Sequence, residues 1–382
     1  MAWQREYWTR LLDAPFPRSI RRVLLGSRCR VLITQFDKIG DVLCSTAAIA
    51  LLRRVLPRAS ITVAVQPYSR DVLANNPDVN EVISVPVPWS SRRFSGGPRD
   101  RARVVWELGR ALRRRQFQLG LDLQGNPLNG LLMFLAGIPL RVGMTGLGGN
   151  LWLTAGQKMD WFANRVAFRL QLVERLTGQV GRAVTRFDSQ PADCQWASER
   201  LGEVARDRPI VVLCPTAENP LRMWDEHRYV ELGRRLSDEA AVLFCYAGAD
   251  LPTARRFEQA WQDVPSCHVV QTDSLGRLAA MMAAAALVIG NDSAPMHLAV
   301  AVGTPVVAIF GPSPPSAAGP LDRHFNRVIQ PAVICKPCLW GPHAGGCRTR
   351  RCLNSISVER VERAARELLR RGRTLPERVI PS

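Results

Sequence analysis

Short apolar runs alternate with amphipathic stretches along the first half of the chain, and this alternation predicts strands separated by helices. Four apolar runs predict strands: 31–36, 61–65, 81–85 and 119–123. The Ala- and Leu-rich stretch 42–56 predicts a helix, which Pro57 ends. Short apolar strands joined by helices are typical of a parallel sheet that is covered on both faces.

The same pattern repeats in the second half. Strands are predicted at 210–213, 241–246, 268–271, 287–289 and 305–310. Helices are predicted at 226–236, 253–261, 275–286 and 294–302. The polar, weakly patterned residues 181–208 lie between the halves and predict a linker. We therefore predict two doubly wound, Rossmann-like α/β domains that face each other across a cleft, with ligands at the carboxyl ends of the strands.

The predicted division of the chain has five parts. They are a basic and aromatic segment (1–30), a first domain (31–185), a linker (186–208), a second domain with a Cys-rich loop (209–356, loop 335–352), and a final helix and tail (357–382). A chain of 382 residues with 47% hydrophobic and 22% charged residues can bury two cores without disulfides and is unlike a disordered protein.

The charge balance favours an anionic partner. Lys and Arg number 51 against 33 Asp and Glu, which gives a net charge of +18. Two segments are especially basic, 92–115 and 348–378, and each is either a solvated face or a region that attracts an acidic acceptor.

The beginning of the chain contains no signal peptide pattern, and no apolar run is long enough for a membrane span. Residues 3–25 mix aromatic and aliphatic side chains with arginines, which suits either an interfacial helix on an anionic bilayer or a helix packed on the domain behind it. We expect a cytoplasmic protein that can contact an anionic membrane surface.

Asp41 is the first candidate for chemistry, because it follows the first strand in the sequence DKIGD, 37–41. It can act as a general base at the end of a strand, or it can simply cap the helix that follows. Both interpretations fit the sequence equally well.

Three later loops carry groups suited to a nucleotide diphosphate. After the strand at 287–289, Asp292 and Ser293 can cap a helix and leave N–H groups for an anion, and His297 lies one turn further, as a functional or a packed histidine. The loop 215–224 offers Thr216, Asn219 and Arg222 to phosphate oxygens. Asp250 can accept hydrogen bonds from ribose hydroxyls. Neither a G-x-G-x-x-G fingerprint nor a P-loop is present, which weighs against dehydrogenases and NTPases.

Four blocks, in the same order, resemble glycosyltransferase family 9, the lipopolysaccharide heptosyltransferases, over roughly residues 30–370. They read ITQFDKIGDVLCSTAAIALLRRVLP, LDLQGNPLNGLLMFLAGIPLRVG, RMWDEHRYVELGRRL and VIGNDSAPMHLAVAVGTPVVAIFGPSPP. The resemblance implies a GT-B fold, a donor such as ADP-heptose on the second domain, and a lipid-linked, anionic inner-core acceptor of lipopolysaccharide on the first.

The resemblance also implies roles for individual residues. Asp41 matches the catalytic aspartate, which would take the proton from the acceptor hydroxyl in an inverting transfer. Donor-binding residues carried over from the family are Thr216, Arg222, Asp250, Asp292, Ser293, Ala294 and His297. Arg222 stands where the family has Lys, Ala294 where it has Gly and Asp225 where it has Pro, and the match of Thr216 is loose in spacing. Lys38 and Asn126 are the predicted acceptor-binding residues.

No Asp-x-Asp pair occurs in the sequence, which weighs against a catalytic metal on the diphosphate. Four cysteines cluster as Cys335-x2-Cys338-x8-Cys347-x4-Cys352. They are either the ligands of a structural zinc or iron, with His343 as a substitute ligand, or free or reversibly oxidised thiols.

Other functions stay open at this point. A GT-B enzyme could use another nucleotide sugar or another acceptor, or it could be a nucleotide-sugar epimerase, which needs no acceptor. Net charge alone also suits a nucleic-acid-binding protein, but no binding module is recognisable, so we expect no nucleic acid as partner.

Overall fold

The computed structural model describes residues 28–90, 97–146, 151–205, 208–331, 333, 338, 347 and 349–372. The chain divides into two compact units, unit 1 (residues 1–185) and unit 2 (186–382). Within the described ranges, no helix combines the length and the apolar character that crossing a membrane requires.

Unit 1 is built on one parallel sheet of six strands in the order β3-β2-β1-β4-β5-β6. Its strands are β1 (Arg30–Gln35), β2 (Ser60–Val65), β3 (Glu81–Ser84), β4 (Leu119–Asp122), β5 (Leu140–Thr145) and β6 (Ala155–Lys158). Its helices are α1 (Ile39–Val55), α2 (Pro98–Arg113), α3 (Pro127–Leu135) and α4 (Arg165–Thr177), with a 3₁₀ helix at Pro67–Val72.

Unit 2 is built on a second parallel sheet in the order β12-β11-β10-β7-β8-β9. Its strands are β7 (Ile210–Cys214), β8 (Ala241–Tyr246), β9 (Cys267–Gln271), β10 (Leu287–Asn291), β11 (Val306–Ile309) and β12 (Asn326–Ile329). Its helices are α5 (Pro191–Val204), α6 (Glu226–Leu236), α7 (Leu251–Trp261), α8 (Leu275–Ala284), α9 (Ala294–Ala301), α10 (Pro315–Ala318), α11 (Arg351–Asn354) and α12 (Val358–Gly372), with 3₁₀ turns at Pro220–Arg222 and Gly248–Asp250.

The central strands are buried and mostly apolar because helices cover both faces of each sheet. Every residue of β7, β8, β10 and β11 is buried, as is every residue of β1 after Arg30. The core of unit 2 is rich in aromatic side chains, with Phe257 between Phe244 and Trp261 at centroid distances of 4.7 and 4.9 Å. The predicted doubly wound α/β class is therefore confirmed.

Three strands were not predicted from the sequence: β5, β6 and β12. Strands β6 (AGQK) and β12 (NRVI) form sheet edges, where one side of the strand needs no apolar run, and β5 contains Arg141 and Gly143. The segment predicted as a linker, 186–208, contains helix α5, which packs on α8. Its pattern is weak because only Ala197 and Leu201 of this helix are buried. The finer domain bounds stay a prediction.

Each sheet reverses its direction of winding at one point. In unit 1 this point lies between β1 and β4, and in unit 2 it lies between β7 and β10. Loops that leave the carboxyl ends of two such strands turn to opposite faces of the sheet and open a crevice for ligands. The loops after β1, β4, β7 and β10 are therefore the places for functional side chains.

We expect two helical glycines to respond in opposite ways to alanine. A Cβ at buried Gly233 in α6 would lie 2.5 Å from the Trp261 ring, so Gly233→Ala should lower the free energy of unfolding by about 1–3 kcal/mol. A Cβ at exposed Gly202 in α5 would meet nothing within 4 Å, so Gly202→Ala should raise it by about 0.5–1 kcal/mol. Urea unfolding of both variants checks this packing, and equal effects would contradict it.

Candidate active site

Asp41 lies inside the first turn of α1 and does not cap this helix. The helix begins at Ile39, and the carbonyl of Lys38 accepts the N–H groups of Asp41 and Val42 at 2.9 and 3.0 Å. The interpretation of Asp41 as an N-cap is therefore wrong, because the helix begins at Ile39, three residues earlier than the pattern indicates. The Asp41 carboxylate is left to side-chain partners.

Two arginines one turn apart on α4 hold the Asp41 carboxylate. Arg165 Nη1 lies 2.9 Å from Asp41 Oδ1, and Arg169 Nη2 lies 3.2 Å from the same oxygen. Arg169 is buried, and its Nε donates to the carbonyl of Leu123, just after β4. Its buried Nη1 has no hydrogen-bond partner among the described residues. Arg169 thus connects the two loops at the switch point of unit 1.

Asp37, in the loop between β1 and α1, provides a second carboxylate beside Asp41. Gln124 Nε2 donates to Asp37 Oδ1 at 2.9 Å, and Arg169 Nη2 lies 3.5 Å from Asp37 Oδ2. Loss of solvation, followed by repulsion from Asp41, raises the pKa of Asp37 to about 7. The arginines and Gln124 oppose this rise without cancelling it.

A buried polar network under the β4 loop sets the position of Gln124. Asp122 accepts hydrogen bonds from the backbone N–H groups of Gln124 and Gly125 at 3.1 and 3.0 Å. Asn129 Nδ2 lies 2.8 Å from both Asp122 Oδ1 and Gln124 Oε1. Burial raises the pKa of Asp122 to about 6, although these hydrogen bonds favour its charged form. The loop is thereby fixed in a conformation that presents Gln124 to Asp37.

The predicted acceptor-binding residues flank this network. Lys38 is exposed at the start of α1. Asn126 caps α3, since its Oδ1 accepts the N–H of Leu128 at 3.0 Å. Unit 1 therefore presents the Asp41 carboxylate in its charged form, bound by two arginines, with a second carboxylate, Asp37, beside it.

In unit 2, the loops after β7 and β10 meet through Arg222 and Asp292. Arg222 Nη1 lies 3.4 Å from Asp292 Oδ2, and the hydroxyl of Ser313 donates to the same carboxylate oxygen. Asn291 joins the two loops further, because its Oδ1 accepts the N–H of Trp224 at 2.9 Å and its Nδ2 donates to the carbonyl of Pro215 at 2.8 Å. The Nε of Arg222 is buried and has no partner among the described residues.

The structure corrects the predicted caps of α9. Ser293 is the N-cap residue, but its side chain makes no capping hydrogen bond within the described part of the chain, and its hydroxyl donates to the Asn291 carbonyl at 3.4 Å. The Asp292 side chain is likewise turned to Arg222, so backbone N–H groups at the start of α9 are left uncapped by these side chains. Ala294 opens the helix, and His297 is half-buried in its first turn.

Two further predicted donor-binding residues follow neighbouring strands, Thr216 after β7 and Asp250 after β8. Burial raises the pKa of Asp250, and the Thr216 side chain opposes this rise. Asp225, which stands where family 9 has Pro, caps α6 by accepting the N–H of His227 at 3.0 Å.

The cysteine cluster is only partly described, because Cys335 and the alternative ligand His343 lie outside the described residues. Cys352 is buried in α11, and Cys347 accepts hydrogen bonds from the backbone N–H groups of Thr349 and Arg350. In the part of the chain that is described, no three Cys, His, Asp or Glu side chains come together as a metal site. The basic and aromatic segment 3–25 also lies outside the described residues.

Sequence reasoning assigned no role to the residues of the polar network that reaches Asp41: Asp37, Gln124, Asn129, Arg165 and Arg169. One signal was available for Arg169, which occupies the buried face of α4 together with Leu172, Val173 and Leu176. A charged residue at such a position indicates a buried partner of opposite charge. Pairing of that arginine with Asp41, 128 positions away, is visible only in the structure.

The two sheets and their helices define the class of the protein, since they match the GT-B fold of solved heptosyltransferases. The structure of Escherichia coli ADP-heptose lipopolysaccharide heptosyltransferase II has a TM-score of 0.73 and 23% identity, and the alignment covers 90% of this chain and 99% of that chain. The E. coli heptosyltransferase WaaC with ADP has a TM-score of 0.67 and 18% identity, and the alignment covers 89% of this chain and 99% of that chain.

Sequence comparison gives the family. The model of glycosyltransferase family 9 (heptosyltransferase) matches residues 105–344. Lipopolysaccharide heptosyltransferase 2 of E. coli strain K12 is 28% identical over 323 residues, which are 79% of this chain and 88% of that protein. The chain belongs to glycosyltransferase family 9 and is a glycosyltransferase.

The raised pKa of Asp37 leads to a testable prediction about how the stability of the protein depends on pH. The pKa of Asp37 is higher in the folded protein than in the unfolded chain, so its stabilising contribution is present at low pH and is lost as pH rises towards 7. Asp37→Asn removes this loss, and the stability of the variant relative to wild type should rise by about 2 kcal/mol between pH 5 and pH 8. Urea unfolding at several pH values measures it, and parallel pH dependences would contradict the assignment.

Proposed function

We propose that this protein transfers heptose from ADP-heptose to a lipopolysaccharide inner-core acceptor, with inversion at the anomeric carbon. The observation that carries the proposal is the Asp41 carboxylate held by Arg165 and Arg169 at the switch point of unit 1. The names of the relatives, which are lipopolysaccharide heptosyltransferases, supply the substrate class.

Asp41 is the proposed catalytic base. It accepts the proton of the acceptor hydroxyl as the oxygen attacks the anomeric carbon, and the bond to the ADP oxygen breaks on the opposite side. Arg165 and Arg169 act as positioning residues because they bind one carboxylate oxygen, Oδ1, and so limit rotation of the side chain. Lys38 and Asn126 are proposed to bind the acceptor near this base.

Unit 2 is proposed to hold the donor. Arg222 is proposed to bind one diphosphate oxygen through its guanidinium group, and the N–H groups at Ser293 and Ala294 are proposed to bind another. These groups stabilise the charge that develops on the leaving ADP, without a metal. Asp250 and Thr216 are proposed to bind the ribose, Asp292 to orient Arg222, and His297 to bind the diphosphate.

The class of the proposed acceptor supports the proposal that the protein works at a membrane. Lipid-linked inner-core acceptors lie in the bilayer, and the net charge of +18 suits an anionic surface. We propose that the protein works on the cytoplasmic side of the inner membrane and binds it peripherally.

The transfer is tested by mass spectrometry of a heptose-deficient lipopolysaccharide core incubated with the protein and ADP-heptose. Wild type should add one heptose, and Asp41→Asn should be slower by about 10²–10⁴-fold because the proton acceptor is lost. Asp71→Asn, at an exposed position in the Pro67–Val72 turn, is the matched control and should retain full activity.

Different failures of this experiment point to different conclusions. Binding of ADP without transfer would favour another sugar or acceptor, and a product formed from the donor alone would favour an epimerase. If neither ADP nor ADP-heptose binds, the proposed function is wrong.

We also propose that Cys335, Cys338, Cys347 and Cys352 hold a structural zinc or iron. Support comes from the CxxC spacing and from the backbone N–H groups of Thr349 and Arg350 that bond to Cys347, because such bonds stabilise a metal-bound thiolate. The surrounding loop, rich in Pro and Gly, contains few side chains that could order it otherwise.

Metal analysis of the purified protein tests this site. Wild type should contain about one zinc or iron per chain, and Cys338→Ser and Cys347→Ser should lose it. Cys194→Ser, at an exposed cysteine of α5, should keep the metal content of wild type. A wild-type protein without stoichiometric metal would leave the cluster as free thiols and would contradict the proposal.

A further inference from the structure

Helix α2 of unit 1 has a buried side and a wide exposed side. Val105, Gly109 and Leu112 are its buried residues, and a Cβ at Gly109 would lie 2.8 Å from the Cβ of Leu135 in α3. This close packing fixes the rotation of α2 about its axis. The outward side is therefore a defined surface of the folded unit.

Arginines and a tryptophan share that outward side. Successive residues of a helix are separated by about 100°, so positions three or four apart lie on one face. This spacing groups the exposed residues Arg99, Arg103, Trp106, Arg110 and Arg113, which we call the basic face. A 16-residue helix is about 24 Å long, so the basic face is a strip of that length.

The charge of the basic face is largely unneutralised. Asp100 and Glu107 are the acidic residues of α2, and Asp100 bonds to the Gly97 N–H at 2.9 Å and lies 3.9 Å from Arg103. Among the described residues, Arg99 and Arg110 form no ion pair. Such a strip attracts a surface of negative charge.

Trp106 indicates which kind of negatively charged surface the basic face binds. Its side chain is 54% exposed although it is the largest apolar group of the helix, and it lies among arginines. A helix with cations and Trp on one face suits the headgroup region of an anionic bilayer, where the ring enters the interface and the guanidinium groups contact phosphates. A nucleic-acid surface would need further aromatic side chains along the strip for bases to stack on.

We infer that the basic face of α2 is the surface by which unit 1 binds an anionic lipid bilayer. This inference deepens the proposed function, because an acceptor that is anchored in a bilayer requires the unit that binds it to reach that bilayer. The lipid headgroups bind the arginines without the acceptor, so lipid binding and sugar transfer can be measured separately.

The test uses the full-length protein and vesicles that contain no glycolipid. Wild type should sediment with vesicles of phosphatidylcholine and phosphatidylglycerol, much less with phosphatidylcholine alone, and less at high salt. The combined variant Arg99→Glu, Arg103→Glu, Arg110→Glu should bind at least about tenfold more weakly, since each cation near the surface contributes about 1 kcal/mol. Trp106→Ala should weaken binding about threefold or more.

A matched control separates the basic face from net charge. The combined variant Arg58→Glu, Arg255→Glu, Arg363→Glu changes the charge equally at exposed positions elsewhere and should weaken binding less than threefold. Thermal unfolding verifies that each variant is folded, and Arg→Gln at the three α2 positions replaces the Glu variant if it is not. Transfer to a deacylated acceptor should be unchanged in the α2 variant, whereas transfer to vesicle-bound acceptor should fall.

Several outcomes would overturn the inference. They are no binding of wild type to anionic vesicles, equal losses in the α2 and control variants, binding only when the acceptor glycolipid is present, and binding of nucleic acid but not of vesicles. Absence of transfer with every acceptor, combined with selective loss of vesicle binding, would reject the proposed function and keep the membrane surface.

Discussion

The order of strands in each sheet is the constraint on which the functional geometry depends. Winding in both directions from a central pair of strands leaves two loops that diverge at β1 and β4, and again at β7 and β10. Polar side chains in these crevices are removed from much of the solvent, so they must satisfy one another. Arg169 bonds both crevice loops of unit 1, and Asn291 bonds both crevice loops of unit 2.

The two crevices contain polar groups of different kinds. Unit 1 places two carboxylates, Asp37 and Asp41, against two arginines, and the pKa of Asp37 rises because burial and like charge disfavour its ionised form. Asp122 and Gln124 stabilise the loop that completes this group. Unit 2 instead places Arg222 beside the uncapped start of α9, which favours an anion. In the proposed function, the carboxylates of unit 1 supply the base and the anion site of unit 2 binds the leaving diphosphate.

Departures from the family pattern have local physical explanations. Asp225, at a position where the family resemblance leads us to expect Pro, is the N-cap residue of α6, and its side chain accepts the N–H of His227. Arg222 keeps the cation of the family's Lys and adds the Nε–H that is buried in the crevice. The arginines of unit 1 have two kinds of surroundings. Arg165 and Arg169 pair with carboxylates, whereas the arginines of α2 are exposed on the same face as Trp106.

The sequence by itself determined the doubly wound α/β class, most strands, about half of the described helices, and the loops that carry Asp41, Arg222 and Asp292. This was possible because buried parallel strands are apolar runs and the segments that follow them are polar. Edge strands such as β6 and β12 were not predicted from the sequence, because a strand at the edge of a sheet does not require an apolar run. Only the tertiary structure decided that Asp41 lies within a helix and meets Arg169 from 128 positions away. Contacts of this kind depend on how helices pack across a sheet. Local patterns of apolar and polar residues do not predict that packing.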